Sequence, residues 1–252
     1  MEKKRREVLE SKRKHSLSSL RSAPLYRRRP NDILLSPGAG KAGVIAEFKR
    51  RSPSRGDIHL HADPVQVAGA YAAAGVAAMS ILTDPSFFGG SLDDLQRVRE
   101  TMPDLVLLRK DFIIDPYQLH ESSAYGADMV LLIASVLAPG EVEELALEAA
   151  SLGLHVLFEV HEASELEKHH RSIQFVGVNN RDLKTFQVDT ARSQELIRHM
   201  PPGVVPVSES GLNDPGEIKK LSGAGYRLFL LGEAFMKEKD PGMACKKMME
   251  QL

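Results

Sequence analysis

A chain of 252 residues, 42% hydrophobic and 27% charged, has the apolar material for a sizeable core and the composition of neither a disordered nor a membrane-embedded protein. No run approaches the roughly 18 apolar residues of a membrane span, and the N-terminus is charged where a signal core would be apolar, so a soluble, cytoplasmic protein is expected. The lone cysteine, Cys245, excludes an internal disulfide and a cysteine zinc site, and it reads as a packing residue of the last helix.

The formal net charge of -1 is unevenly spread: residues 1–30 carry 11 Lys/Arg against 3 Glu, about +8, and the remainder about -9. With acidic residues mixed in and no aromatic before Tyr26, this segment reads as a solvated helix docking on an acidic body, not as a nucleic-acid-binding arm. Residues 1–43 are thus expected to be a helical extension with a Pro-rich connector (PLYRRRPNDILLSPGAG), and residues 44–252 a barrel onto which it packs, one domain overall.

From residue 44 onward eight short apolar runs recur: VIAEFK (44–49), AAMSILTD (77–84), LVLLRKDF (105–112), MVLLIASV (129–136), HVLFEV (155–160), FVGVNN (175–180), VVPVSES (204–210) and RLFLLG (227–232). Their starts lie roughly 20 to 33 residues apart, the length of a strand, a helix and two loops. Continuous apolar runs suit strands of a parallel sheet covered on its outer face. Between them, segments such as PVQVAGAYAAAG, SLDDLQRVRETM and DPGEIKKLSGAG open on Pro, Ser or Asp and close near Gly, as helices do. Eight units fit a closed barrel better than an open doubly wound sheet of about five or six strands, and neither GxGxxG nor GxxxxGK[ST] occurs. The predicted fold is α/β, a single (β/α)8 TIM barrel with an extra N-terminal helical segment.

Barrel enzymes carry their chemistry at the C-terminal ends of the strands. Strand one ends in Glu47 and Lys49, two apart and so on one side of the sheet. Strand three ends in Lys110, with Phe112 two further on. Strand five ends in Glu159, strand six in Asn179, Asn180 and Arg181, and strand seven in Ser208, Glu209 and Ser210. Any one of these alone reads as an edge-of-strand polar group. Together they predict a cluster, because odd-numbered strands fill one layer of a barrel interior and Glu47 or Lys49, Lys110, Glu159 and Glu209 then converge on the axis. Neighbouring charges and burial move Lys and Glu pKa values toward neutrality, which suits proton transfer. A Schiff-base lysine is the other reading of the same residue. No metal site is expected, since no His or Asp converges on these carboxylates and His59, His61 and His161 fall in loops. The nine histidines read mostly as solvated.

Barrels often hold phosphate with the loops after strands seven and eight. SESGL offers Gly211 after strand seven. LGEAFMK places Leu231, Gly232 and Glu233 at the start of a short helix whose amides would face an anion, provided the Glu233 carboxylate points away. Lys49 and Arg181 would add positive charge. The loop of about 14 residues after strand one, RRSPSRGDIHLHAD, is long for its place. It reads either as a lid bringing Arg51, Ser52, Ser54 and Arg55 to an anionic substrate or as a mobile surface loop.

Five stretches, IAEFKRRSPSRG, LTDPSFFGGSLDDL, LLRKDFIIDPYQ, GVNNRDLKTFQVD and SESGL with LGEAFM, resemble the motifs of the indole-3-glycerol phosphate synthase family, in order over residues 44 to about 242. The resemblance implies decarboxylating ring closure of 1-(o-carboxyphenylamino)-1-deoxyribulose 5-phosphate, with no cofactor and no metal. It implies Lys110 as general acid, Glu159 as catalytic acid or base, and Glu47 with Lys49 assisting dehydration or contacting the substrate carboxylate. Asn179, Glu209 and Ser210 would orient substrate, and Ser52 and Phe112 match loop and hydrophobic-pocket positions. Arg181, Gly211, Leu231, Gly232 and Glu233 fall at the phosphate site. The expected partner is the phosphorylated small molecule, without nucleic acid or membrane. The chain is a monomer by default, association with other tryptophan-pathway enzymes being left open. The alternatives are another phosphosugar barrel of the phosphoribosylanthranilate isomerase kind, which would need a Cys/Asp pair, and a non-catalytic barrel that only binds.

Overall fold

Eight strands close into one barrel: β1 (Gly43–Phe48), β2 (Ala78–Leu82), β3 (Leu107–Lys110), β4 (Met129–Ile133), β5 (His155–Val160), β6 (Phe175–Asn179), β7 (Val205–Glu209) and β8 (Leu228–Leu231). This computed structural model describes residues 1–33, 42–182 and 185–252. Part of the expected connector, 34–41, and positions 183 and 184 of the GVNNRDLKTFQVD stretch lie outside the described residues. Each strand runs parallel to its neighbours, and β8 closes on β1 with Gly43 opposite Leu228 and Ala46 opposite Leu231. All eight expected runs contain a strand, and most of the strands are shorter than the runs because the polar tails belong to the loops.

Alternation along each strand sorts the side chains into two sets. Ile45, Leu108, Leu131, Leu157, Val207 and Leu230 meet inside the barrel. Val44, Phe48, Ile81, Leu132, Phe158, Val176 and Phe229 face outward into a larger core under the helices. Those helices include α3 (Pro64–Ala73), α4 (Pro85–Phe88), α5 (Leu92–Thr101), α6 (Pro116–Ala124), α7 (Pro139–Ser151), α8 (Ala191–Leu196), α9 (Pro215–Ala224), α10 (Glu233–Met236) and α11 (Pro241–Met249). Five of them start on Asp-Pro: Asp63, Asp84, Asp115, Asp214 and Asp240 each accept a first-turn amide, and the proline that follows has no N–H to leave unpaired. Between β5 and β6, the shortest spacing in the sequence, a 3-10 segment (Ala163–Lys168) replaces the helix. Cys245 is buried on α11, and burial pushes its thiol up to about 12.

The N-terminal segment runs down one side of the barrel. Helices α1 (Glu2–Lys14) and α2 (Leu17–Arg21) pack on α6, where Val8 and Leu20 join Tyr117 and Ala124 in a separate apolar cluster. At the mouth end Lys4 is not solvated. It is 5% exposed, and its ammonium lies 2.7 Å from Asp84 and 2.8 Å from Asp111. At the opposite end Arg28 lies 2.5 Å from the buried carboxylate of Asp128, and the amide of Asn31 donates to the same oxygen at 2.7 Å. A basic segment therefore docks on acidic groups, as its charge suggests, but through ion pairs taken out of water. Among the described residues no helix is long and apolar enough to cross a membrane.

Candidate active site

The top layer of the barrel interior is the predicted cluster. Glu47, Lys110, Glu159 and Glu209 come from β1, β3, β5 and β7, one pleat above Ile45, Leu108, Leu157 and Val207. Lys110 Nζ donates to Glu209 Oε2 at 3.0 Å and lies 3.4 Å from Glu47 Oε2 and 4.0 Å from Glu159 Oε2. Lys49, just past β1, bends back so that its Nζ lies 2.5 Å from Glu47 Oε1. Glu47, Glu159 and Glu209 are all buried.

Two inward-facing glycines make room for this layer. A Cβ on Gly177 of β6 would lie 2.1 Å from Glu209 Oε1, and one on Gly232, just past β8, 2.3 Å from Glu47 Oε1. Gly232 was expected for its backbone near a phosphate; its missing side chain equally serves a carboxylate. Gly177 was not singled out in the sequence, although its place two residues before Asn179 marks it as inward-facing.

Three carboxylates here face two ammonium groups, and their pKa values divide accordingly. Burial raises that of Glu47, but Lys49 and Lys110 overcome it and bring the carboxyl down to about 2. Burial opposes the charge of Lys110, yet Glu209, Glu47 and Glu159 hold its ammonium well above the ordinary lysine range. Glu209 goes the other way: burial raises it, Lys110 opposes, Glu159 and Glu47 reinforce, and it settles at about 7. Its Oε1 has no hydrogen-bond partner. Near neutral pH the layer thus holds a fixed anion, a fixed cation and a carboxyl that gains or loses a proton.

Beside this layer a cleft of about 50 Å³ is lined by Lys49, Lys110, Arg181, Ser210, Gly211, Gly232 and Glu233, among others. Ser210 and Gly211 both take positive φ, 67° and 77°, turning the chain sharply after β7. Asn180 faces outward, opposite to Asn179, and donates to the Ser210 carbonyl at 3.1 Å, which secures that turn. The Asn179 side-chain oxygen accepts from the Arg181 amide at 3.0 Å. Leu231 reaches the cleft, but its side chain belongs to the outer core. The Glu233 carboxylate does not point away as expected: Arg181 donates to its Oε2 at 3.1 Å and Arg55 donates to its Oε1. Of the two cations expected beside the phosphate, Arg181 is held by Glu233 and Lys49 by Glu47.

The loop after β1 is partly ordered as a hairpin, Arg51–Ser52 against Gly56–Asp57. Ser52 is buried within hydrogen-bond distance of Ser54 (3.3 Å), and Arg51 lies 3.7 Å from Asp57. Arg50, not anticipated, anchors the root of the loop with two bonds to Asp94, at 2.5 and 3.0 Å. Phe112, expected at a hydrophobic-pocket position, meets the exposed ring of Phe87 edge-on, centroids 6.1 Å apart, and Phe87 was not singled out in the sequence.

The reading of the histidines as solvated needs correction at two positions. His120 is buried under Tyr26, whose hydroxyl lies 2.6 Å from its Nδ1. His161 continues the inward parity of Leu157 and Glu159, and its Nε2 lies 3.7 Å from Glu159 Oε1, so a histidine does converge on the strand ends. Among the described residues no group of three or more His, Cys, Asp or Glu is arranged to hold a metal ion.

The barrel is shared with enzymes of distant sequence. The chain superposes on a 3-hexulose-6-phosphate synthase with a TM-score of 0.66 at 16% identity, over 83% of this chain and 99% of that one. On the orotidine 5'-phosphate decarboxylase of Pyrococcus horikoshii the TM-score is 0.61 at 12% identity, over 82% and 98%. At these identities the likeness shows the fold alone. Sequence relatives are more specific. The chain is 48% identical to an indole-3-glycerol phosphate synthase of Bacteroides thetaiotaomicron, over 84% of this chain and 81% of that protein. It is 42% identical to the Salinibacter ruber protein of the same name, over 96% and 91%. The family model described as indole-3-glycerol phosphate synthase matches residues 1–248, so the chain belongs to the indole-3-glycerol phosphate synthase family.

Proposed function

We propose that the odd-strand layer closes the indole ring of 1-(o-carboxyphenylamino)-1-deoxyribulose 5-phosphate, with Lys110 as the acid. The observation that carries this reading is a half-buried ammonium at the barrel axis, kept charged by three carboxylates. Attack of the ring carbon on the ketone leaves negative charge on the carbonyl oxygen, and Lys110 is the proton donor placed for it. Lys49, at the rim of the layer, receives the substrate carboxylate, whose departure as CO2 restores the aromatic ring. The hydroxyl at the former ketone carbon then leaves as water, which takes one proton onto the oxygen and one off the neighbouring carbon. Glu159 takes the second of these, and Lys110, reprotonated from the neutral form of Glu209, supplies the first. Glu47, held ionised, is not the donor; it fixes the two lysines. Glu209, titrating near neutrality, is the carboxyl suited to exchange protons with the rest of the layer.

The substrate phosphate belongs in the cleft of Gly211, Gly232 and Arg181, where it would displace Glu233 from its arginines. Phe112 and Phe87 offer the anthranilate ring an apolar wall, and Asn179, Ser210 and Ser52 orient the rest of the molecule. The protein works as a cytoplasmic monomer, with this small molecule as partner and no nucleic acid. The test is to mix purified protein with the substrate without added metal or cofactor and follow indole fluorescence. Absence of product, with the substrate shown to bind, overturns the reading.

A further inference from the structure

His161 is a buried imidazole for which the reaction above has no use. Its ring follows Glu159 by one pleat, its side chain is 10% exposed, and both ring nitrogens are buried without a hydrogen-bond partner. A buried polar group left unpaired is costly, and native structures pair the great majority of them. Two carboxylates lie just beyond bonding distance, Glu159 Oε1 at 3.7 Å from Nε2 and Glu165 Oε2 at 3.8 Å from Nδ1. They are not equivalent. Glu165 Oε2 already accepts the backbone amides of His161, at 2.6 Å, and Glu162, at 3.3 Å, so it fixes the backbone under the ring. Glu159 Oε1 has no such partner among these amides, while Oε2 of the same carboxylate faces Lys110. A shift of under about 1 Å in either side chain completes a bond from Nε2–H to Oε1.

We propose that His161 is a positioning residue for Glu159: Nε2–H donates to Oε1 and leaves Oε2 turned to the barrel axis as the oxygen that moves the proton. This rests on the assignment of Glu159 above. Burial lowers the pKa of His161, Glu165 opposes, and Arg192 from α8 lowers it further, with Glu209 and Asp182 the remaining charges facing the ring. The ring is therefore a neutral donor at working pH, and a neutral imidazole has one N–H to place.

The test compares His161→Phe, His161→Gln and Glu159→Gln in steady-state turnover against pH, with circular dichroism as the check on folding. His161→Phe keeps the ring and loses the donor. Its kcat should fall about 10-fold with KM within about two-fold, and the acid limb of its pH profile should move to higher pH, because a carboxylate without its donor is a stronger base. His161→Gln, which retains an N–H, should recover most of the rate and the profile. A folded His161→Phe with kcat within two-fold of wild type and an unmoved profile overturns the proposal. If Glu159→Gln itself keeps wild-type turnover, it is the assignment of Glu159 that fails. Should His161→Phe not fold, 15N spectra of histidine-labelled wild-type protein, assigned with His161→Gln, decide the matter. Protonated Nε2 supports the proposal, and unprotonated Nε2 overturns it.

Discussion

Gly177 faces Glu209 across the barrel wall so closely that a Cβ on the glycine would stand 2.1 Å from the carboxylate oxygen. The carboxylate can hold Oε2 on Lys110 with Oε1 against β6 only because that strand has no side chain there. Gly177→Ala must therefore push Glu209 against Lys110 or shift the strand, and overpacking of this kind costs about 1–3 kcal/mol. Steady-state kinetics should show kcat lowered about 10-fold or more, and thermal melts should show a lower Tm. Gly232→Ala, opposite Glu47, should behave alike.

The raised pKa of Glu209 predicts a pH-dependent stability. A carboxyl lifted to about 7 in the folded protein from an ordinary value near 4.5 binds its proton more tightly when folded. Its contribution is fully favourable below about pH 4.5 and is lost as pH rises through 7. Glu209→Gln removes that dependence. Denaturant melts at pH 5 and pH 8 should show the wild type losing stability relative to Glu209→Gln on going to the higher pH, by roughly 1–3 kcal/mol. An equal difference at both values would mean that Glu209 is not lifted.

Lys4 joins Asp84 and Asp111 with no side chain more than 6% exposed, and Asp111 adjoins Lys110 in sequence. Lys4→Met leaves two buried carboxylates without this cation, a defect of about 3 kcal/mol. Calorimetry should place its Tm about 6–12 °C below wild type for a chain of this size. A drop of only a degree or two would make the ion pair a bystander.

The sequence made the barrel legible because its signals are local. Continuous apolar runs announce parallel strands, an opening Pro, Ser or Asp marks several helix starts, and a period of two tells which residues share a face. That period also brings Glu47, Lys110, Glu159 and Glu209 to one layer. What it left out depends on distances across the barrel. Glu47 reaches both lysines and Glu209 only one, so two like residues in one layer differ in pKa for reasons no spacing shows. Glu233 turns toward Arg181 because a guanidinium attracts a carboxylate within its reach, a competition among side chains 52 residues apart that no spacing shows. His161 was missed although the parity of β5 already pointed it inward.

That competition gives a prediction of its own. Arg181→Ala should raise KM about 10- to 100-fold and change kcat less, since a phosphate contact is made in ground and transition states alike. A variant with unchanged KM would place the phosphate elsewhere.

The most direct test is of Lys110, the ammonium on which the whole layer is centred. Single-turnover fluorescence of Lys110→Met, with circular dichroism showing the barrel intact, should give a rate of ring closure lower by two or more orders of magnitude while substrate still binds. A folded Lys110→Met that closes the ring at close to the wild-type rate would contradict the account.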